Sequence, residues 1–509
     1  MLARLNSVTL IGIDGLACEV EVHISNGTNE RPMIVGLPDA AVKESLERVR
    51  SAVINSGYSY PDGQILVNLA PADVRKEGPS FDLPIAVGLM RAAKKFECDS
   101  LKREILVGEL ALDGRVRPVN GVLSMAMAAR EKGFDRIIVP QENAAEAAVV
   151  KGIDVYGVAT LSQAIGVLSG ILELEPTVVD LGTMFDTASQ YPIDFADVKG
   201  QEAVKRALII AAAGGHNVIM MGPPGSGKTM LAKRIATILP PLSLEESLET
   251  TRIYSSVGLL RRGKALVATR PFRSPHHTAS APALIGGGTH PKPGELSLAH
   301  HGILFLDEFP EFQRNVLETI RQPLEDSSVT IARAKTTLTF PASFMMVASA
   351  NPCKCGYYGS TQKKCRCSPR QIEQYLSRIS GPLLDRIDIH VDVPAVDYRR
   401  LRSAEKGQTS TQIRKDVTAA RQIQFERFGS DARMTNARMS HSMIEKFCPL
   451  DKAGEMVLRA AMNDLALSAR AHDKICKMAR TIADLDNSKD IKDCHVAEAV
   501  GYRKLDRKL

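Results

Sequence analysis

The 509-residue chain is 44% hydrophobic and 24% charged, the composition of an ordinary globular protein with length for about three or four domains. No apolar run is long enough to cross a bilayer, and Met1 to Asn6 carry no signal-peptide core, so the reading excludes a membrane protein and predicts a cytoplasmic one. The net charge of +7 permits a polyanionic partner without requiring one.

Apolar and alternating runs predict strands at 8–13, 18–24, 64–69, 105–110 and 136–140, and a helix from Asp39 to Asn55. With helical stretches between the strands, residues 1–172 read as an α+β domain of an α/β multidomain protein. Lys76-Glu-Gly-Pro-Ser80, Gly108 to Gly121 and Ile138 to Asn143 resemble the peptidase domain of Lon proteases, which implies a Lon-like (S5-fold) domain. In that family the serine of Gly-Pro-Ser is the nucleophile, and a lysine just after the second motif is its base. Here the nucleophile position is Ser80, but the base position is Leu123, which cannot take a proton. The domain is therefore expected not to be proteolytic, with Ser80 capping the helix that begins near Phe81. Residues 173–192, with two prolines and weak periodicity, read as a linker.

Residues 193–395 centre on a Gly-rich loop: Gly222, Pro223, Pro224, Gly225, Ser226, Gly227, Lys228 and Thr229. The apolar run 218–221 precedes it and a helical pattern, 230–239, follows, which is the strand–loop–helix context of a P-loop. The glycines let backbone N–H groups face phosphates, and the helix N-terminus adds partial positive charge. Lys228 would reach the β- and γ-phosphates of ATP, and the Thr229 hydroxyl would bind Mg²⁺. About eighty residues on, the apolar run Ile303 to Leu306 ends in Asp307 and Glu308. In that position Asp307 would hold Mg²⁺ and Glu308 would polarise the attacking water. A further strand, 344–350, ends in Asn351. Residues 329–340 alternate about a centre near Ala334-Lys335 and read as a hairpin, with Arg333 and Lys335 near its tip suited to grip DNA phosphates.

Cys353, Cys355, Cys365 and Cys367 follow Asn351 closely. Four thiolates this near one another in a reducing compartment predict a structural Zn²⁺ site, with Lys354, Lys363, Lys364 and Arg366 offsetting its charge. Residues 396–509 read as helices at 411–428, 441–447, 452–463, 468–486 and 491–502.

Taken together, these motifs resemble the magnesium-chelatase-like AAA+ ATPases of the ComM/YifB family, above all Phe272-Arg-Ser-Pro-His-His277 and Leu384-Asp-Arg-Ile-Asp388. The resemblance implies an AAA+ P-loop core at 193–395 and a C-terminal helical lid at 396–509. It implies that Asn351 is sensor 1, that Arg386 is an arginine finger reaching a neighbour's nucleotide, and that Arg470 is sensor 2, with Arg480 its rival. It places the 329–340 hairpin in a ring pore. The implied function is a homo-hexameric, ATP-driven helicase acting on single-stranded and branched DNA, promoting branch migration of imported DNA during natural transformation. Recombination proteins are candidate partners. The resemblance leaves a chelatase-type motor subunit and an ATP-dependent Lon-like protease as alternatives.

Overall fold

The computed structural model describes all residues except 26–31, 99, 189–190, 262, 289–290, 334–336, 361–362, 396–406, 430–433, 466 and 504–509. They form two compact units, Met1–Thr187 with Ser243–Ala268, and Ala188–Leu242 with Thr269–Leu509.

A seven-stranded sheet organises the first unit. Its order is Met33–Val35, Gln64–Ala70, Asp14–Ser25, Leu2–Ile11, Glu104–Leu106, Arg136–Pro140, Asp154–Val158. Successive strand residues face opposite sides, so Leu106 and Ile138 join the apolar cluster containing helix Asp82–Ala92. Ile105 and Ile137 join the cluster containing helix Val122–Glu131. The predicted 105–110 strand splits in two, and its second part, Glu109–Leu110, pairs with Val116–Arg117. The predicted 39–55 helix breaks at Glu44 into Ala40–Lys43 and Ser45–Asn55.

Three findings depart from the reading of the sequence. Ser80 does not cap the next helix. It lies inside a one-turn 3₁₀ segment, Pro79–Phe81, and the helix from Asp82 has Phe81 at its N-cap with no side-chain cap bond. Within 173–192, residues Leu181–Ala188 form a helix. Residues 243–268, which fall inside 193–395, pack into the first unit rather than the second. Their helix, Leu244–Ser256, opens on a Ser243/Glu246 capping box. It buries the small hydroxyl row Ser247, Thr251 and Ser255 instead of an apolar stripe, a pattern that hydrophobic periodicity does not flag. Ser255 donates to the buried Glu146 carboxylate, and Glu146 also accepts from Leu123 N at 2.9 Å. Burial pushes the Glu146 carboxyl up, against the hydrogen bonds of Ser255, Leu123 and Asn143.

The second unit holds a five-stranded sheet in the order Phe272–Arg273, Ile303–Leu306, Met345–Ala350, Val218–Met221, Ile389–Asp392. Every neighbouring pair is parallel. The three central strands are buried at every residue, which is why they read as continuous apolar runs. Helices Glu202–Gly214 and Lys228–Ile238 share one apolar core with Ser410–Arg427, His441–Phe447, Lys452–Asp464, Ala469–Leu485 and Asp493–Gly501. Each C-terminal helix forms within two residues of its predicted bounds.

A buried polar node ties these C-terminal helices to the sheet. Asp388, just before strand Ile389–Asp392, receives Asn217 N at 3.0 Å and pairs with Lys474 Nζ at 2.9 Å. His216 Nδ1 lies 3.6 Å from the same carboxylate, and its Nε2 meets Thr481 Oγ1 at 2.8 Å. The predicted hairpin forms from Ser328–Ala332 and Thr337–Pro341. Among the described residues, no helix is long and apolar enough to cross a membrane.

Candidate nucleotide-binding site

The carboxyl ends of the parallel strands converge on the Gly-rich loop, where open α/β sheets place ligands. Gly225 and Gly227 have φ of +77° and +89°, conformations that L side chains resist. Gly222 passes so close to strand Ile389–Asp392 that a Cβ would lie 2.2 Å from Val393 O. These positions explain the glycines at the level of the backbone. Ser226 O accepts from Gln201 Nε2 at 2.9 Å, and the same amide nitrogen donates to Pro394 O at 2.9 Å, which pins the loop from behind.

Lys228 opens helix Lys228–Ile238 and is buried. Its Nζ donates to Gly222 O at 2.7 Å, Pro223 O at 3.0 Å and Asn351 Oδ1 at 3.2 Å. Burial pulls its pKa down, and Asp307 and Glu308 oppose that. An ammonium folded onto its own loop carbonyls, with no acidic partner in contact among the described residues, suits an anion that would take over those donors. Thr229 Oγ1 donates to Asp307 Oδ2 at 2.8 Å. Asp307 Oδ1 accepts from Ser349 Oγ and from Glu308 N, the latter at 3.1 Å. A hydroxyl and a carboxylate oxygen in contact at a strand end form a hard-oxygen donor set that fits Mg²⁺.

Glu308 has φ of +53°, in the left-handed region, and is half exposed. For a non-glycine residue this is a strained conformation. Glu308 Oε2 lies 3.3 Å from His277 Nδ1, and His277 stacks beside His276 at 4.2 Å between centroids. Neither His277 nor Ser349 was singled out at this site by the sequence. Ser349 sits two residues before Asn351 on a strand that reads as apolar, so only its polarity marks it.

The remaining candidates divide. Asn351 joins the loop through Lys228. Arg386 is mostly buried and paired within its own chain, to Glu325 Oε1 at 2.6 Å and Pro382 O at 2.6 Å, rather than to Asp385 or Asp388. Arg470 is exposed on the first turn of helix Ala469–Leu485. Its rival Arg480 is 3% exposed, with Nε, Nη1 and Nη2 engaged by Asp484, Lys489 O and Ser488 O, so it is held inside the helical region. Arg333 is exposed next to Gly287 of the small hairpin Gly286–Gly287/Lys292–Pro293, while Lys335 lies outside the described residues.

The four cysteines gather as their spacing predicts. Their sulfurs lie within 4.8 Å of one another, with Cys353–Cys355 at 3.4 Å, Cys353–Cys365 at 3.7 Å and Cys355–Cys365 at 3.6 Å. Backbone N–H donation from Arg366 and Tyr357 lowers the Cys355 thiol to about 6. In the first unit, Ser80 is 6% exposed and Leu123 is fully buried.

Comparison with known proteins agrees with this geometry. Residues 194–401 match the family described as magnesium chelatase, subunit ChlI, residues 20–143 match subunit ChlI of Mg-chelatase, and residues 407–503 match its C-terminal part. Competence protein ComM of Haemophilus influenzae is 44% identical over 100% of this chain and 98% of its own length. Protein YifB of Escherichia coli is 44% identical over 98% of this chain and 96% of its own. Lon protease 2 of Bacillus subtilis is 31% identical over 33% of this chain and 28% of its own. The chain belongs to the magnesium-chelatase-like ComM/YifB family, whose AAA+ character implies an ATPase that uses ATP and Mg²⁺.

Proposed function

We infer that the protein hydrolyses ATP to drive movement along DNA, as a homo-hexamer in the cytoplasm, promoting branch migration when imported single strands recombine. The observation that carries the ATPase part is the meeting of Lys228, Thr229, Asp307 and Asn351 around one loop. The DNA part is supported by the ComM relative's description as a competence protein and by the exposed Arg333 on its hairpin.

In this reading Lys228 leaves the carbonyls of Gly222 and Pro223 for the β- and γ-phosphates. Thr229 and Asp307 would hold Mg²⁺, which would supply charge to neutralise the phosphates. Glu308 accepts a hydrogen bond from the attacking water and orients it, and Asn351 fixes its position from the next strand. Arg386 leaves Glu325 to reach a neighbouring subunit's nucleotide, where it stabilises transition-state charge. Arg470 serves as the sensor on the helical lid. Arg333 and Lys335 grip the DNA backbone.

Protease activity is the poorer reading, because Ser80 is buried and its expected base position holds a buried leucine. The test is ATP turnover by the purified chain with and without single-stranded and four-way-junction DNA. DNA-stimulated turnover supports the proposal. Turnover that ignores DNA moves the reading to a chelatase-type motor.

A further inference from the structure

The cysteine loop does more than sit near the nucleotide site: it touches the P-loop. Gly356, one residue after Cys355, has φ of +83°, and a Cβ there would lie 2.6 Å from Pro224 Cδ and 2.7 Å from Pro224 Cγ. The glycine backbone therefore packs directly on the proline ring between Pro223 and Gly225. Asn351, two residues before Cys353, holds Lys228 Nζ at 3.2 Å. Cys353 is buried, and the turn is closed by Gly356 N to Cys353 O at 2.9 Å. The segment thus leaves the sheet at Asn351, turns through the thiols, and returns its glycine onto the loop that would carry the phosphates.

We propose that the four cysteines hold one Zn²⁺ and that this ion is a brace for the P-loop, fixing Gly356 against Pro224 and Asn351 against Lys228. Tetrahedral thiolates about 2.3 Å from Zn²⁺ stand roughly 3.8 Å apart. The three sulfur separations of 3.4 to 3.7 Å are already near that value. Cys367 N donates to Cys365 Sγ at 3.4 Å, the kind of outer bond that orients a metal-bound thiolate. Lys354, Lys363, Lys364 and Arg366 are exposed around the site and offset two excess negative charges. Among the described residues of the loop only Cys353 and Gly356 are buried, so the ion supplies the order that packing does not. The brace rests on the ATP-binding reading of the loop, and the experiment separates the two.

The test measures zinc by elemental analysis and fluorescent ATP-analogue binding with Mg²⁺, on the full chain. The native protein should carry one Zn²⁺ and bind the analogue. Chelator-stripped protein should bind it at least about tenfold more weakly, about 1.4 kcal/mol, with recovery on adding Zn²⁺ alone, because the freed segment no longer holds Gly356 against Pro224. Cys365→Ser should lose the metal and the affinity together. Gly356→Ala should keep the metal but lose affinity, because its methyl displaces Pro224. Native protein without zinc overturns the metal site. Zinc-free protein that binds the analogue with native affinity overturns the brace. Zinc-replete native protein that binds no analogue overturns the ATP reading and, with it, the brace.

Discussion

Asp388 and Lys474 offer the sharpest physical prediction. Their 2.9 Å pair joins the strand end beside Arg386 to helix Ala469–Leu485, and both side chains are largely buried. Burial raises the Asp388 carboxyl, but Lys474 and His216 outweigh it and hold it far below the usual carboxylate range. Asp388→Asn keeps the shape and the Asn217 N–H contact but strands the Lys474 ammonium, at a cost of about 3–5 kcal/mol. Lys474→Met should cost a similar amount, because the carboxylate loses its counter-charge. The double variant should recover most of the loss, since a buried pair replaced by apolar or neutral groups is often near neutral. Arg378–Glu311 is an equally short pair at 2.8 Å, but its side chains are 51% and 38% exposed. Arg378→Ala should therefore cost less than about 1 kcal/mol. The chain has no tryptophan, so urea unfolding is followed by circular dichroism. With its folded pKa depressed, Asp388's contribution is present in full above the ordinary carboxylate pKa near 4 and is lost as pH falls through the lower, folded value. A double variant no more stable than either single, or an Asp388→Asn loss no larger than that of Arg378→Ala, refutes the reasoning.

Other outcomes follow from the site. Glu308→Gln should slow ATP hydrolysis by about 10²–10⁴-fold while nucleotide binding persists, read by single-turnover kinetics; unchanged hydrolysis removes Glu308 from the chemistry. Arg386→Ala should reduce turnover by about 10³-fold or more without weakening binding, and mixing it with native protein should lower native activity if the residue acts across subunits. Gly222→Ala should abolish nucleotide binding, because its methyl meets Val393 O at 2.2 Å; a variant that binds normally shows that the loop can shift. Casein should survive incubation with native protein and with Ser80→Ala alike.

The nucleotide motifs were legible because each is short, local and tied to a buried strand. Val218–Met221 and Ile303–Leu306 read as all apolar because every residue of both strands is buried. The C-terminal helices were legible from periodicity. What escaped was built from polar burial and from contacts distant in sequence. Helix Leu244–Ser256 joins the first unit through hydroxyls and a carboxylate, so no apolar stripe announced it. Ser80 suited an N-cap by type and position, yet an extra 3₁₀ turn moved the helix start past it. Arg386 meets Glu325 across 61 residues, beyond any local pairing rule, and the adjacent Asp388 is taken by Lys474 instead. His277 reaches Glu308 only because strand Phe272–Arg273 lies beside Ile303–Leu306 in the sheet.

The central claim is an ATP-driven DNA motor. The direct measurement follows ATP hydrolysis and four-way-junction movement in the same reaction, for native protein and for Lys228→Ala. The account predicts junction movement that requires ATP, turnover stimulated by DNA, and loss of both in the variant. ATP turnover with no junction movement and no response to DNA would contradict it.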